Sequence, residues 1–151
     1  MADSSTQSIT IAAPPAAVAE VICDFAAYPE WVSAVKRCEV VEEYEDGYAS
    51  QVRFVIDAGM MQDDYTLGYE YAEDISRIQW SLVAPSKVQK AQDGSYDLEP
   101  VDGGTRVTYT LAVDLAISLP VFLRRKAEKT IMETALSELR KRVLALAAGH
   151  G

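Results

Sequence analysis

The sequence contains a single histidine, and it lies at position 150 of 151 residues. A catalytic or metal-binding histidine has to be held by rigid neighbours, whereas His150 follows a glycine at the end of the chain. Histidine-dependent catalytic triads and zinc sites of the HExxH type are therefore excluded. The glycine patterns of dinucleotide and nucleoside triphosphate sites are also missing. We expect neither a metal nor a cofactor.

Cysteine is nearly as scarce. Cys23 and Cys38 are the only two, and neither belongs to a CxxC pair or has a histidine nearby. Their spacing leaves a disulfide open, but we expect no signal peptide, and hence two buried thiols in the reducing cytoplasm. Long apolar runs are missing too, since none approaches the ~20 residues of a membrane span. Stable membrane insertion is therefore not expected.

Positive charge is the third scarcity. The chain has 14 lysines and arginines against 23 acidic residues, a formal net charge of −9. Such a field repels phosphate backbones and anionic lipid heads, so we expect no nucleic-acid partner. Acidic surfaces usually serve solubility, so the charge by itself indicates no specific partner.

Length and apolar content favour one compact unit. With 151 residues and 49% apolar side chains, the chain can bury one core and is too short for two. We expect one domain over residues 7–148, with flexible ends at 1–6 and 149–151. We expect a cytoplasmic protein that is a monomer or a weak homodimer.

Segments rich in β-branched and aromatic residues, separated by turn signals, follow one another along most of the chain. They predict strands at 8–11, 35–44, 48–58, 60–71, 77–83, 88–98 and 105–113. Asp93-Gly94 interrupts the sixth of these, as a bulge or a tight turn. Because the connections from the second strand onward are short, those strands form an antiparallel meander.

Proline and apolar spacing place the helices. Pro15 suits the first turn of a helix after the first strand, and Pro29 leaves two short helices before the meander. Residues 121–148 contain neither glycine nor proline and carry an apolar stripe at three- and four-residue steps. They predict one helix about 40 Å long, which can span a whole sheet.

Five short segments carry a resemblance to a known family. Residues 9–14 (ITIAAP), 24–31 (DFAAYPEW), 94–100 (GSYDLEP), 104–109 (GTRVTY) and 124–129 (RRKAEK) resemble, in this order and spacing, the START-like superfamily, also called SRPBCC or Bet v 1-like. The match is to its polyketide cyclase/dehydrase and coenzyme Q-binding branch, and is closest to small actinobacterial proteins. The resemblance implies an α+β helix-grip fold: a curved antiparallel sheet wrapped around a long C-terminal helix, with two short helices after the first strand.

The same resemblance leaves two functions open. The first is binding or transport of a small hydrophobic or amphipathic ligand, such as a lipid, isoprenoid, quinone or polyketide-like molecule, in a cavity between sheet and helix. The second is a cyclase, aromatase or dehydratase of the polyketide type that acts in the same cavity by positioning its substrate. Fold alone does not decide between them. A third possibility, an interaction protein that uses the surface of the fold, has less support.

Strand parity and helix spacing predict most of the cavity wall, since one face of each strand should meet the helix. The resemblance implies that Tyr28 and Trp31, between the short helices, border the cavity mouth. Several of these residues are tyrosines, which would add polar points to an apolar wall. The predicted wall residues are Tyr28, Trp31, Phe54, Ile56, Met61, Tyr65, Leu67, Tyr69, Trp80, Leu82, Tyr96, Tyr109, Met132, Leu136 and Leu139. Whether they line a cavity or fill a core is open at this point.

Three residues are weak catalytic candidates. In the resembling aromatase/cyclases, an interior arginine and tyrosine orient or polarise a carbonyl group, and Arg53 is the corresponding candidate here. Tyr65, on the predicted inner face of its strand, is a further weak candidate. Parity places Arg53 opposite Phe54 and therefore on the outer face. Asp63 shares its predicted face with Tyr65 and is a candidate for proton transfer. An inward Arg53 or Asp63 would be evidence for catalysis.

Overall fold

The computed structural model describes residues 4–57, 62–116, 118 and 120–149. Its elements are β1 (Ser5–Ile11), α1 (Pro15–Cys23), a 3-10 turn (Phe25–Ala27), α2 (Tyr28–Trp31), β2 (Val35–Glu43), β3 (Ala49–Asp57), β4 (Gln62–Tyr71), β5 (Arg77–Leu82), β6 (Gln89–Val101), β7 (Gly104–Leu115) and α3 (Val121–Gly149). The predicted sequence of elements is confirmed, including the two short helical pieces between β1 and β2.

The strands form one antiparallel sheet in the order β1-β7-β6-β5-β4-β3-β2. Strands that are neighbours in sequence pair from β2 to β7, because their connections are too short for crossovers. The first strand joins the free edge of β7, where Ile9 lies opposite Val107. The sheet curves around α3, and the predicted α+β helix-grip fold is thereby confirmed.

The long helix is fixed by an apolar stripe that is almost entirely removed from solvent. Met132, Leu136, Leu139 and Val143 are at most 2% exposed. The helix contacts β1, β7 and the two short helices α1 and α2. Burying four side chains of this size contributes roughly 1.5–3 kcal/mol each, so the stripe holds the helix against one side of the sheet.

Two strands differ from the prediction. Strand β6 continues through Asp93 and Gly94 without a break, and its irregularity lies between Gln89 and Ala91 instead. The reason is that Gly94 supplies space for the indole of Trp80 on β5 and does not serve as a turn residue. Strand β1 begins at Ser5, so residues 5 and 6, which were predicted to be flexible, pair with β7.

The turn between β2 and β3 contains the sequence Glu45-Asp46-Gly47. Gly47 adopts a φ of +90°, a left-handed conformation that favours glycine. The Asp46 side chain accepts a hydrogen bond of 3.0 Å from the Tyr48 amide and stabilises the reversal.

Both cysteines are free thiols. Burial raises the pKa of Cys23 to about 11 and the pKa of Cys38 to about 12. Both side chains are therefore neutral near pH 7 and behave as small apolar groups. Within the part of the chain that the structure describes, no helix has the length and apolar character needed to cross a membrane.

Candidate functional site

A cavity of about 270 Å³ lies between the inner face of the sheet and α3. Strands β3 to β7 form its floor, the segment from α2 to the start of β2 forms one side, and α3 forms the roof. Its surface is mainly apolar and aromatic, which is typical of small-molecule sites.

Ten of the fifteen residues predicted for the wall line this cavity. They are Tyr28, Trp31, Phe54, Ile56, Tyr65, Leu67, Tyr69, Trp80, Tyr96 and Tyr109. Strand parity brings the eight on β3 to β7 together, because alternate residues of adjacent strands share one face. Tyr28 and Trp31 reach the cavity from α2. Their role in binding a ligand stays a prediction.

The other five are not among the described residues that line the cavity. Met132, Leu136 and Leu139 were predicted to line the cavity, but they point to the packed side of α3 and belong to the closed core. Leu82 is half-buried near the end of β5, outside the cavity wall. Met61 lies outside the described residues.

Aromatic rings stiffen the floor of the cavity. The Trp80 ring lies 5.3 Å from that of Tyr96 and 5.8 Å from those of Tyr69 and Tyr109, measured between centroids. Tyr96 and Tyr109 are 4.7 Å apart. Such pairs contribute about 0.5–1.5 kcal/mol each beyond their burial, so the rings hold one another in place.

Four tyrosine hydroxyls have no hydrogen-bond partner within the described residues: those of Tyr65, Tyr69, Tyr96 and Tyr109. None of them belongs to the buried polar atoms that lack a partner, which in this part of the chain are Trp31 Nε1 and Arg142 Nε. All four tyrosines line the cavity. Burial raises the pKa of all four, so they stay protonated near pH 7 and can donate hydrogen bonds to a ligand.

A directional chain of hydrogen bonds crosses one end of the floor. Trp80 Nε1 donates to Gln92 Oε1 over 2.9 Å, Gln92 Nε2 donates to Gln89 Oε1 over 2.6 Å, and Gln89 Nε2 donates to Asp63 Oδ2 over 3.0 Å. An indole can only donate and a carboxylate can only accept, so the two ends determine both amide orientations. Each amide keeps one further N–H group, and both glutamines line the cavity.

Asp63 is buried, as its parity with Tyr65 predicted, but its oxygens are already engaged. Asp63 Oδ2 also accepts from Ser86 Oγ over 2.7 Å, and Asp63 Oδ1 accepts from the Asp64 amide over 3.0 Å. Asp63 does not reach the cavity wall. Its contacts make it the anchor of the hydrogen-bond chain, joining β4 to β6 and to the turn before it.

Arg53 lies on the outer face of the sheet, where parity placed it. Its guanidinium donates two hydrogen bonds to Asp64, of 2.8 and 2.6 Å, and lies 3.5 Å from Glu39. These partners lie on the two strands adjacent to β3. The hydrogen bonds from Arg53 lower the pKa of Asp64 below its ordinary value of 3.8. Arg53 therefore belongs to a surface ion-pair network and does not contact the cavity.

The roof of the cavity was missed at the sequence level. It consists of Arg124, Ala127, Glu128, Ile131 and Ala135, at helical steps of three and four residues. Adjacent residues of an α-helix are turned by about 100°, so this face looks into the cavity while the Met132 stripe looks into the core. The segment 124–129 was singled out for its resemblance to the family, but it was not assigned to the cavity. A helix face with two alanines and two charged residues does not resemble an apolar wall.

Within the described ranges, no group of three histidine, cysteine, aspartate or glutamate side chains is placed to hold a metal ion. The polar groups of the cavity wall include tyrosine hydroxyls, glutamine amides and the side chains of Arg124 and Glu128 on α3. This set can orient a ligand and hydrogen-bond to it.

Comparison of the coordinates with solved structures shows the same fold in proteins of low sequence identity. A START superfamily protein from Mycobacterium smegmatis superposes with a TM-score of 0.87 at 23% identity, over 95% of this chain and 98% of that one. A protein from Thermus thermophilus gives 0.77 at 24%, over 95% and 99%. The ZhuI aromatase/cyclase from Streptomyces sp. R1128 gives 0.78 at 16%, over 95% and 94%.

No curated protein sequence matches this chain significantly. Residues 2–148, nearly the whole chain, match the family described as polyketide cyclase/dehydrase and lipid transport. The match agrees with the resemblance carried by the five short segments. The chain therefore belongs to the polyketide cyclase/dehydrase and lipid transport family.

Proposed function

We propose that this protein binds, and carries or sequesters, a small hydrophobic or amphipathic molecule in the cavity beneath α3. The observation that carries the proposal is the cavity itself: a partly open apolar space walled by aromatic rings, with a few hydrogen-bonding side chains in its wall. A folded core of this size would normally be filled to crystal-like density. The space is retained although aromatic side chains large enough to close it surround it.

The ring of tyrosines supports a bound molecule that is partly polar. A purely apolar ligand would cover tyrosine hydroxyls without giving them hydrogen-bond partners, which is costly. Four tyrosines whose hydroxyls have no hydrogen-bond partner among the described residues line the cavity: Tyr65, Tyr69, Tyr96 and Tyr109. A ligand with hydrogen-bonding groups would satisfy them.

Native mass spectrometry of the protein purified from its own host tests the proposal directly, because a bound apolar molecule adds a discrete mass that denaturation removes. A titration with the fluorescent probe N-phenyl-1-naphthylamine provides a second measurement. Ala135→Leu adds three carbon atoms to the roof of the cavity and should weaken probe binding about tenfold or more, since the side chain occupies ligand space.

Ala145→Leu is the matched control, because Ala145 lies on the exposed side of the same helix. It should leave probe affinity unchanged. The proposal fails if no ligand is retained and the probe binds the two variants and the unchanged protein equally, since binding would then be unrelated to the cavity.

A second candidate function is catalysis of a cyclisation or dehydration in the same cavity. The observation that favours it is the presence of Arg124 and Glu128 on the wall, alongside hydroxyl and amide donors that could polarise a carbonyl group. Against it, Arg53 and Asp63 are engaged elsewhere. Turnover of an aromatic polyketide-like substrate that is lost in Glu128→Gln would favour catalysis over simple binding.

A further inference from the structure

Glu128 is the one carboxylate on the cavity wall that the described residues leave incompletely paired. The residue is only 6% exposed, although most of its neighbours in this part of α3 are exposed. Its Oε2 accepts a hydrogen bond of 3.0 Å from Ser5 Oγ on β1. Arg124, one turn earlier on the same face, forms no ion pair with it in the described part of the chain.

A single accepted hydrogen bond does not satisfy a buried carboxylate. An ionised carboxyl group has about four acceptor positions, and removing it from water is costly unless partners replace the lost hydration. Glu128 lines the cavity, and the hydrogen bond from Ser5 occupies one acceptor position of its carboxylate. The remaining acceptor positions of Glu128 are available to a molecule bound in the cavity.

The size of the cavity limits what can meet this carboxylate. An engineered cavity of about 150 Å³ encloses one benzene ring. The present cavity, at about 270 Å³, is therefore matched to a body of one or two rings, or an aliphatic group of that bulk. A skeleton of three or four fused rings would extend beyond it.

We propose that the ligand is a one- or two-ring apolar molecule that carries a hydrogen-bond donor, a hydroxyl or an amine, and that Glu128 accepts this donor. This inference rests on the proposed binding function and assigns the chemical class of the ligand. Ser5 holds the carboxylate in place through Oε2, and the other acceptor positions bind the ligand. The aromatic floor opposite α3 packs on the ring body.

The test compares two compounds of the same shape, 1-naphthol and 1-methylnaphthalene, in direct titrations. Hydrophobic transfer favours the methyl compound, by about fourfold for one buried methyl group. A charge-assisted hydrogen bond to Glu128 reverses the order, and we expect 1-naphthol to bind about tenfold more tightly. The sign of the preference thus separates a hydrogen-bonded ligand from one held by packing alone.

Three variants locate the acceptor. Glu128→Met keeps the length of the side chain and removes the acceptor, so the methyl compound should become the tighter ligand. Glu128→Gln keeps a neutral acceptor and should retain a smaller preference for 1-naphthol. Glu133→Met, at an exposed position on the same helix, should preserve the preference of the unchanged protein.

Each outcome is decisive. If both compounds bind and the methyl compound binds more tightly to the unchanged protein, the donor inference is wrong while cavity binding stands. If neither compound nor N-phenyl-1-naphthylamine binds, the proposed function itself fails. If Glu128→Met does not fold, the preference of the unchanged protein and of Glu128→Gln still decides. A preference that survives in a folded Glu128→Met assigns the acceptor elsewhere and overturns the role of Glu128.

Discussion

The two glycines in the middle of strands β4 and β6 should respond in opposite ways to the same substitution. Gly94 on β6 lies opposite Trp80, and a Cβ atom placed there would overlap indole atoms Cζ2 and Cε2 and lie 2.6 Å from Nε1. Gly68 on β4 has room, since its nearest side-chain neighbour, Val83 Cγ2, would lie 3.6 Å from an added Cβ. Neither glycine has a positive φ, so the contrast is purely steric.

The loss of stability in Gly94→Ala can be worked out from the displacement of the Trp80 indole that the added methyl group requires. Overpacking a well-packed site costs about 1–3 kcal/mol. Moving Trp80 also breaks its hydrogen bond to Gln92, which contributes about 1 kcal/mol. Gly94→Ala should therefore lower the free energy of unfolding by about 2–4 kcal/mol, which for a chain of this length lowers Tm by roughly 5–15 °C. Gly68→Ala should be neutral or stabilising by about 0.5–1 kcal/mol.

Urea unfolding followed by circular dichroism measures both changes, because this signal does not depend on the tryptophan that the substitution displaces. A double-mutant cycle with Trp80→Leu then isolates the contact. In the Trp80→Leu background, Gly94→Ala should cost less than about 1 kcal/mol, giving a coupling energy of about 1–3 kcal/mol. Equal losses in Gly94→Ala and Gly68→Ala, or a Gly94→Ala cost that is unchanged without Trp80, would refute this account of the floor.

Two further predictions concern titration. Burial raises the pKa of six tyrosines, at positions 28, 65, 69, 71, 96 and 109. The stability that these six buried hydroxyls contribute is therefore complete below about pH 10 and is lost as the pH rises further. Phenolate absorbance from the six should appear together with unfolding. A smooth titration of all six in the folded state would contradict this. The hydrogen bonds from Arg53 lower the pKa of Asp64. The stability that this pair contributes is therefore present above pH 3.8 and is lost as the pH falls through the lowered pKa of Asp64 in the folded state. In Arg53→Gln, the NMR titration midpoint of Asp64 should rise towards 3.8 while ligand affinity stays unchanged, and an altered affinity would show that this outer-face network acts on the cavity.

The strands and the floor of the cavity could be predicted from sequence because both follow from a period of two. Residues such as Tyr65, Leu67 and Tyr69 alternate with polar neighbours, and only one sheet face is covered. The same parity placed Arg53 outside and Asp63 inside, as the structure has them. Parity carries no information on partners, so it did not reveal that Gln89 and Gln92 connect Asp63 to Trp80.

The roof could not be predicted because apolar periodicity on a helix marks the face that is packed most closely. In α3 that face is the Met132 stripe, which excludes ligand by filling its own space. The adjacent face has small residues, Ala127 and Ala135, which leave room, and it places Glu128 on the cavity wall. Such a face lacks the apolar character by which a core face is recognised in a sequence. In this helix, small residues and a charge beside the strongest apolar stripe mark the cavity better than the stripe itself does.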